Sequence, residues 1–227
     1  MKKFILSIAI FLLFSIESFG HVDHYSKYNY LEYELFRNNK SIGYHKYVFN
    51  RDGEKLSIFS EVSFKITKLG VDLYKYFAKS EENYINGKFD SYSSKTKQNK
   101  KDRFVNISVD PDNKNLIING SSFKGTADKD FIVGTWWNHE IVKARAQISG
   151  ISGRIIDQKV TFLGKEEIKI NDKTYKTLHF NFQSSDETLP ESKKLNTDIW
   201  YEEGTYLWVK AAFSKTGYWE YRIKKVN

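Results

Sequence analysis

Alternation of apolar and polar residues is the feature of this sequence that most limits its fold. It is sustained longest over residues 56–67, where one side of the pattern is largely apolar and the other is mostly polar. The residues on the first side are Leu56, Ile58, Ser60, Val62, Phe64 and Ile66. A period of two puts successive side chains on opposite faces of a strand, so this run predicts a half-buried β-strand.

Shorter runs of the same kind predict further strands. They lie at 31–35, 42–49, 104–109, 158–163, 166–170, 174–183, 197–202, 206–213 and 217–225. The intervening turns at 171–173 and 214–217 are short enough for hairpins. Strands joined by tight turns pair antiparallel, because parallel neighbours need a long crossover. The sequence therefore predicts a mainly all-β protein built as an antiparallel meander.

One segment predicts a short helix, from residue 139 to 148. Asn138 is suited to cap it and Gly150 to end it. The residues that recur at helical spacing are Ile141, Val142, Arg145 and Ile148. A helix of about ten residues is unstable alone, so it must pack on the sheet, with Trp136 and Trp137 as its anchors. Residues 184–197 predict a long surface loop between two strands.

The amino terminus predicts export. Lys2 and Lys3 precede an apolar run from Phe4 to Phe14, and small residues end at Gly20. The apolar run is shorter than the roughly 20 residues of a membrane-spanning helix. We therefore expect a signal peptide at 1–20 and one mature β domain at 21–227, located in the periplasm. The chain has no cysteine, so no disulfide stabilises it.

The charge balance limits the partners. Without the expected signal peptide the chain has 34 basic and 27 acidic residues, a net charge of +7. Nucleic acid is not an expected partner for an exported protein. A basic surface fits an anionic membrane surface or another anionic envelope partner, and the alternative is compositional drift toward Lys and Asn, which have A/T-rich codons.

No motif of known chemistry is present. The five histidines lack zinc-site spacing, and there is no Gly-x-Ser-x-Gly motif or phosphate-binding loop. Cleavage after Gly20 would make His21 a terminal copper ligand with His24 nearby, but a short tail is usually disordered. The adjacent acids at 166–167 and 202–203 are typical of solvated strand ends. We predict no catalytic residue, no metal site and no cofactor.

Aromatic residues are the informative excess, with five Trp, fifteen Tyr and seventeen Phe. Many occupy strand positions near the carboxy terminus, where both faces of successive strands carry large rings. We predict ligand contacts at Trp136, Trp137, Arg145, Trp200, Tyr201, Trp208 and Trp219. The alternative is that the rings form cross-strand pairs that only stabilise the sheet.

The last 95 residues resemble a family of exported bacterial proteins classed as a domain of unknown function. The segments that carry the resemblance are Asp198-Ile199-Trp200-Tyr201, Trp208 to Phe213, Gly217 to Arg222, Trp137-Asn138, Gly153-Arg154 and the spaced pattern from Val160 to Ile170. Related families look like half-open barrels of the lipoprotein-carrier type. The resemblance therefore implies a strongly curved sheet around one short helix, and it implies no catalytic residue.

Three functions fit these observations. The first is a periplasmic binding or carrier module that shelters an apolar or amphiphilic ligand, such as a lipid or an acyl chain, between sheet and helix. The second is a structural or assembly protein of the envelope that contacts another envelope protein and whose core is filled by its own side chains. The third is an enzyme that acts on glycans or lipids and uses two facing carboxylates.

Overall fold

The computed structural model describes residues 25–227, which form fifteen β-strands and contain no α-helix. The expected signal peptide, His21 and His24 lie outside the described residues. The strands are β1 (Tyr30–Arg37), β2 (Lys40–Asp52), β3 (Lys55–Lys68), β4 (Val71–Ile85), β5 (Lys88–Gln98), β6 (Lys101–Val109), β7 (Asn115–Gly120), β8 (Lys124–Asp128), β9 (Ile132–Val133), β10 (Ala146–Ile148), β11 (Ile155–Ile170), β12 (Lys173–Ser184), β13 (Asn196–Glu202), β14 (Trp208–Ser214) and β15 (Tyr218–Val226).

All fifteen strands belong to one sheet, in which chain neighbours are nearly always spatial neighbours. The order across the sheet is β8-β7-β6-β5-β4-β3-β2-β1-β15-β14-β13-β12-β11-β10-β9. Every pair is antiparallel except β9 with β10. Because β1 pairs with β15, the two ends of the described chain meet in the middle of the sheet, while β8 and β9 form its two edges. The sheet is therefore barrel-like but not closed.

The paired strands β2 and β3 approach each other closely at Gly43. A side chain at Gly43 would collide with the carbonyl of Ser63 on the neighbouring strand. Register shifts also interrupt the pairing of β1 with β2, of β3 with β4 and of β13 with β14. Such bulges bend a strand and increase its twist. The prediction of a strongly curved antiparallel sheet is confirmed.

The buried apolar residues form two clusters inside the curve. The larger cluster joins residues of β1 to β4 with residues of β12 to β15 and includes Trp137, Tyr201 and Trp208. The smaller cluster joins β5 to β8 with β9 and β10, and includes Tyr92 and Ile107. None of the helical segments within residues 25–227 has the length and apolar character needed to cross a membrane.

The predicted helix at 139–148 is wrong. Only His139–Val142 form a 3₁₀ turn, capped by Asn138 as expected, and residues 146–148 form β10 instead. The Gln158 side chain donates to the carbonyls of Ile141 and Ala144, at 3.0 and 2.9 Å, which a continuing α-helix would have used itself. Gln158, on the distant strand β11, thus occupies backbone carbonyl groups that a longer helix would have needed.

The predicted strands are confirmed, although 158–163 and 166–170 merge into the single strand β11. The loop between β12 and β13 is also where we expected it. Strands β4, β5, β7, β8, β9 and β10 were missed. On β4 and β5 the inward-facing tyrosines are interrupted by Ser80, Glu82, Ser94 and Thr96, so the apolar half of the alternation is weak there.

Candidate ligand-binding cavity

A cavity of about 210 Å³ lies inside the curved sheet, between the two buried clusters. Its wall combines aromatic rings with small hydroxyl side chains. The lining includes His45, Tyr47, Ser60, Val62, Tyr76, Ala78, Ser80, Tyr92, Ser94, Thr96, Trp136, Gln147, Ile156 and Tyr221. The inward-facing hydroxyl groups of β3, β4 and β5 explain why these strands carry polar residues on a concave face.

His45 is a buried histidine in this wall. Its Nε2 lies 2.9 Å from Ser60 Oγ, whereas its Nδ1 has no hydrogen-bond partner among the residues that the structure describes. Burial lowers the pKa of His45 to about 3, because the charged ring would lose its hydration. The imidazole is therefore neutral near pH 7, and its free nitrogen can donate or accept one hydrogen bond according to the tautomer.

Trp136 occupies an unusual backbone conformation beside the cavity. Its φ is +59°, a left-handed value that bulky residues rarely adopt. The amide of Trp137 donates to the carbonyl of Thr135 at 2.8 Å, which closes a three-residue turn around Trp136. The indole Nε1 of Trp136 is buried and has no hydrogen-bond partner within the described chain. Strain and an unpaired donor thus coincide in one residue.

Several distant side chains hold this turn. Glu82, which is buried, accepts hydrogen bonds from Trp137 Nε1 at 2.9 Å and from Thr135 Oγ1 at 3.3 Å. The hydroxyl of Tyr47 donates to the Thr135 carbonyl at 2.6 Å, and the hydroxyl of Tyr201 donates to the Trp136 carbonyl at 2.9 Å. Strained conformations persist only where the surroundings over-determine them, as they do here.

Burial dominates the electrostatics of the wall and of Glu82, which lies behind it. It raises the pKa of Glu82, although Tyr84, Trp137 and Thr135 donate hydrogen bonds that oppose this shift. Burial also raises the pKa of Tyr92 and Tyr221 above the ordinary value for tyrosine. These groups, like His45, are held toward their neutral forms. The site is therefore suited to uncharged or weakly polar groups.

Four of the seven residues predicted as ligand contacts belong to the larger cluster, and three of them pack in its interior. Trp137 is fully buried, and its ring packs edge to face on Tyr25 and Phe49 at 5.5 and 5.6 Å. Trp208 stacks on Tyr33 at 4.0 Å and forms the layer behind the cavity wall. Tyr201, also fully buried, contributes the hydroxyl that binds the Trp136 carbonyl.

Of the seven, Trp136 alone belongs to the lining of this cavity. Its ring packs edge to face on Trp208 and on Tyr221, at 5.5 and 5.6 Å. The His45 ring meets the same two partners at 6.1 and 6.0 Å. Trp136 and His45, the two lining residues whose buried nitrogens lack a hydrogen-bond partner in the described chain, therefore share one aromatic support, and the indole nitrogen of Trp208 in that support is also unpaired.

Trp200, the fourth member of the larger cluster, does not line this cavity, and neither do Arg145 and Trp219. Trp200 stacks on His179 at 4.1 Å on the other face of the sheet, and Lys210 Nζ is 4.6 Å from its ring. Arg145 is exposed and forms an ion pair with Asp128. Trp219 packs on Phe64 at 5.3 Å, toward the end of the sheet that holds the β3–β4 turn.

Sequence reasoning missed His45, Glu82 and most of the tyrosines. His45 could have been found, because it falls on the inward side of the alternation in β2, followed at the next inward positions by Tyr47 and Phe49. Ser60 gave a matching signal as the single polar residue on the apolar side of the run 56–67, and it proves to be the partner of His45. Glu82 gave no local signal, since only the fold shows that it is buried.

The fold and cavity define an all-β, barrel-like protein with a partly polar interior. The chain matches the family described as domain of unknown function DUF6134 over residues 33–224, and it belongs to that family. It is also similar to a solved crystal structure, the β-barrel-like protein of domain of unknown function DUF1849 from Brucella abortus. That likeness has a TM-score of 0.58 at 9% identity and covers 87% of this chain and 96% of the other. It concerns the fold alone. A comparison with curated proteins found no match.

Proposed function

We propose that this protein is an exported, periplasmic binding module that holds an amphiphilic ligand in the cavity of its curved sheet. The observation that supports this most directly is the strained turn at Trp136, whose indole nitrogen is left unpaired beside a cavity. Buried polar groups without partners cost about 1 to 3 kcal/mol each, so such an arrangement persists where a ligand or ordered water satisfies the group.

The cavity sets the size of what it can enclose. Its volume of about 210 Å³ corresponds to roughly seven water molecules, below the usual range for drug-sized ligands. It fits a small ring or the end of an alkyl chain, not a whole long acyl tail. The aromatic wall would contact this apolar part, while Trp136 Nε1 and His45 Nδ1 would bind an adjacent ester, amide or hydroxyl group.

A chain-length series tests the size limit. Burying one methylene contributes about 0.8 kcal/mol, so affinity for straight-chain esters should rise about fourfold per carbon until the cavity is full. It should then level off. Titration calorimetry with the purified protein measures this, and affinity that continues to rise through long chains would contradict the assignment to this cavity.

A matched pair of substitutions tests whether the ligand binds in the cavity. Ser94 lines the cavity, whereas the preceding residue on β5, Ser93, is exposed on the outer face. Ser94→Leu should fill the cavity and lower affinity at least tenfold, while Ser93→Leu should leave it unchanged. Equal effects of both variants would exclude the cavity as the binding site.

A second pair tests the polar contact. Trp136→Phe keeps a ring in place and removes the unpaired donor. It should therefore lower the affinity for an ester more than the affinity for an alkane of similar length. Trp200→Phe is the control, because that indole donates to Glu166 on the other face.

If neither alkanes nor esters bind and a protein is crosslinked in the envelope instead, the second function, a structural or assembly protein, is the better description.

A further inference from the structure

The hairpin that joins β3 and β4 extends beyond the rest of the sheet. The pairing of β2 with β3 ends at Phe64, and the strand pairing of β4 with β5 ends at Tyr76. Residues 65–74 therefore form a two-stranded ribbon that no other strand of residues 25–227 flanks. We call this ribbon the tip. An isolated two-stranded ribbon is marginally stable, so its length calls for an explanation outside the fold.

The tip exposes apolar side chains. Leu69 is 95% exposed, Val71 62% and Leu73 56%. Leu73 is the extra residue of a β-bulge, because Ile66 pairs with Tyr74 and Thr67 with Asp72. Three aliphatic side chains concentrated at the end of a protruding ribbon differ from the scattered single exposures that are normal on a protein surface.

Leu69 is also unfavourable for the turn it occupies. The turn consists of Leu69 and Gly70, with φ values of +51° and +77°. Two-residue hairpin turns with two positive φ values favour Asn followed by Gly. Four other hairpin turns of this chain place asparagine at the first positive φ, namely Asn38, Asn86, Asn99 and Asn171. Leucine at this position is thus unfavourable for both the turn geometry and solvation, and contact with an apolar environment would offset the cost of its exposure.

Lysines surround the tip. Residues 65–75 and the adjacent turn at 97–102 contain six lysines and two aspartates, a net charge of +4. Asp72 is partly neutralised by Lys75, whose Nζ lies 3.1 Å away. A groove of about 620 Å³ at the base of the tip is lined by Phe64 and Tyr76 together with Lys65, Lys75 and Lys97. Apolar side chains surrounded by lysines are suited to bind a membrane, which has an apolar interior and anionic headgroups.

We infer that the tip is a membrane-docking element that inserts Leu69, Val71 and Leu73 into a bilayer rich in anionic lipid. Interfacial binding of this kind combines burial of apolar side chains with attraction between lysines and headgroups. The inference does not depend on the proposed function of the cavity. The two are nevertheless close, because Tyr76 lines both the basal groove and the cavity.

Vesicle sedimentation tests the inference with the purified protein. We expect binding to phosphatidylcholine vesicles that contain phosphatidylglycerol, weaker binding to phosphatidylcholine alone, and release by salt. Leu69→Asn should reduce binding about tenfold, from the lost burial of one leucine. The same change should leave folding stability equal or higher, because it installs the preferred Asn-Gly turn. Loss of binding therefore cannot be attributed to unfolding.

Matched controls separate the tip from general properties of the surface. Leu163→Asn removes another exposed leucine, on β11, and should not change binding. Lys68→Gln should lower binding to anionic vesicles about fivefold, whereas Lys55→Gln, at the opposite end of β3, should have little effect. All variants share one amino terminus, so any contribution of residues 1–24 cancels in the comparison.

Two outcomes would overturn the inference. The first is vesicle binding that Leu69→Asn leaves unchanged. The second is no vesicle binding, with self-association that Leu69→Asn abolishes, which would make the tip a contact between copies of this chain. Ser94→Leu, which fills the cavity, should not alter vesicle binding, so failure of the cavity proposal and failure of this one are distinguishable.

Discussion

Glu82 is the residue on which the geometry of the cavity wall most depends. Besides Trp137 and Thr135, it accepts a hydrogen bond from the Tyr84 hydroxyl at 2.6 Å. Glu82→Ala should lower the free energy of unfolding by about 2 to 4 kcal/mol, since buried donors lose their acceptor and a cavity forms. Chemical denaturation measures this. Glu167→Ala, on an exposed position of β11, should change stability by less than about 0.5 kcal/mol.

His45 should make stability depend on pH. Its pKa of about 3 in the folded protein is below the value near 6.5 of an unfolded histidine. Between these values the unfolded chain binds more protons, so the contribution of His45 is complete above pH 6.5 and decreases as the pH falls. We expect a loss of about 1.6 kcal/mol from pH 6.5 to 5.

The test compares wild type with His45→Gln across this range by denaturant titration. The difference between their slopes against pH isolates His45 from the carboxyl groups that titrate in both proteins. Parallel slopes would show that His45 is not buried as described.

At the scale of elements, Gln158 decides whether residues 141–148 continue as a helix or turn into β10. Its amide nitrogen binds two carbonyls of this segment, and its Oε1 accepts from Gln147 Nε2 at 2.7 Å. Gln158→Leu should destabilise the protein by about 2 to 4 kcal/mol and expose the amides of β10 to hydrogen exchange. Gln183→Leu, on the exposed face of β12, is the control. Unchanged protection of Gln147 and Ile148 would contradict this role.

The whole molecule is organised around the pairing of its first and last strands. Asn227 exchanges backbone hydrogen bonds with Tyr30 at 3.0 and 3.1 Å. A circular permutant that links residue 227 to residue 25 and opens at 129–131 would make every pair of neighbouring strands consecutive in the chain. It should refold faster than the parent, because the pairing of β1 with β15 becomes local.

Stopped-flow refolding measures this rate. A permutant with the same linker that opens in the turn between Gln98 and Lys101 is the control, because it exchanges one long-range pairing for another. Its refolding rate should stay close to that of the parent. If both permutants accelerated equally, the linker and not the strand order would be responsible.

The sequence by itself determined the all-β class, the antiparallel order and most strand positions. Alternation and turn chemistry are local properties, and positions such as Asn171 and Leu56 express them without reference to the rest of the chain. The curved half-barrel was expected from resemblance, and the fold confirms it.

Only the tertiary structure decided which face of each strand became the interior. A period of two defines two faces but does not say which is concave, so Trp136 and Trp200 looked equally suited to a ligand although the sheet separates them. The prediction of a helix at 139–148 was wrong because Gln158, on another strand, donates hydrogen bonds to the backbone carbonyls of this segment. The strands β4 and β5 were hidden because their inward side chains face a partly polar cavity, whose existence depends on strands far apart in the sequence.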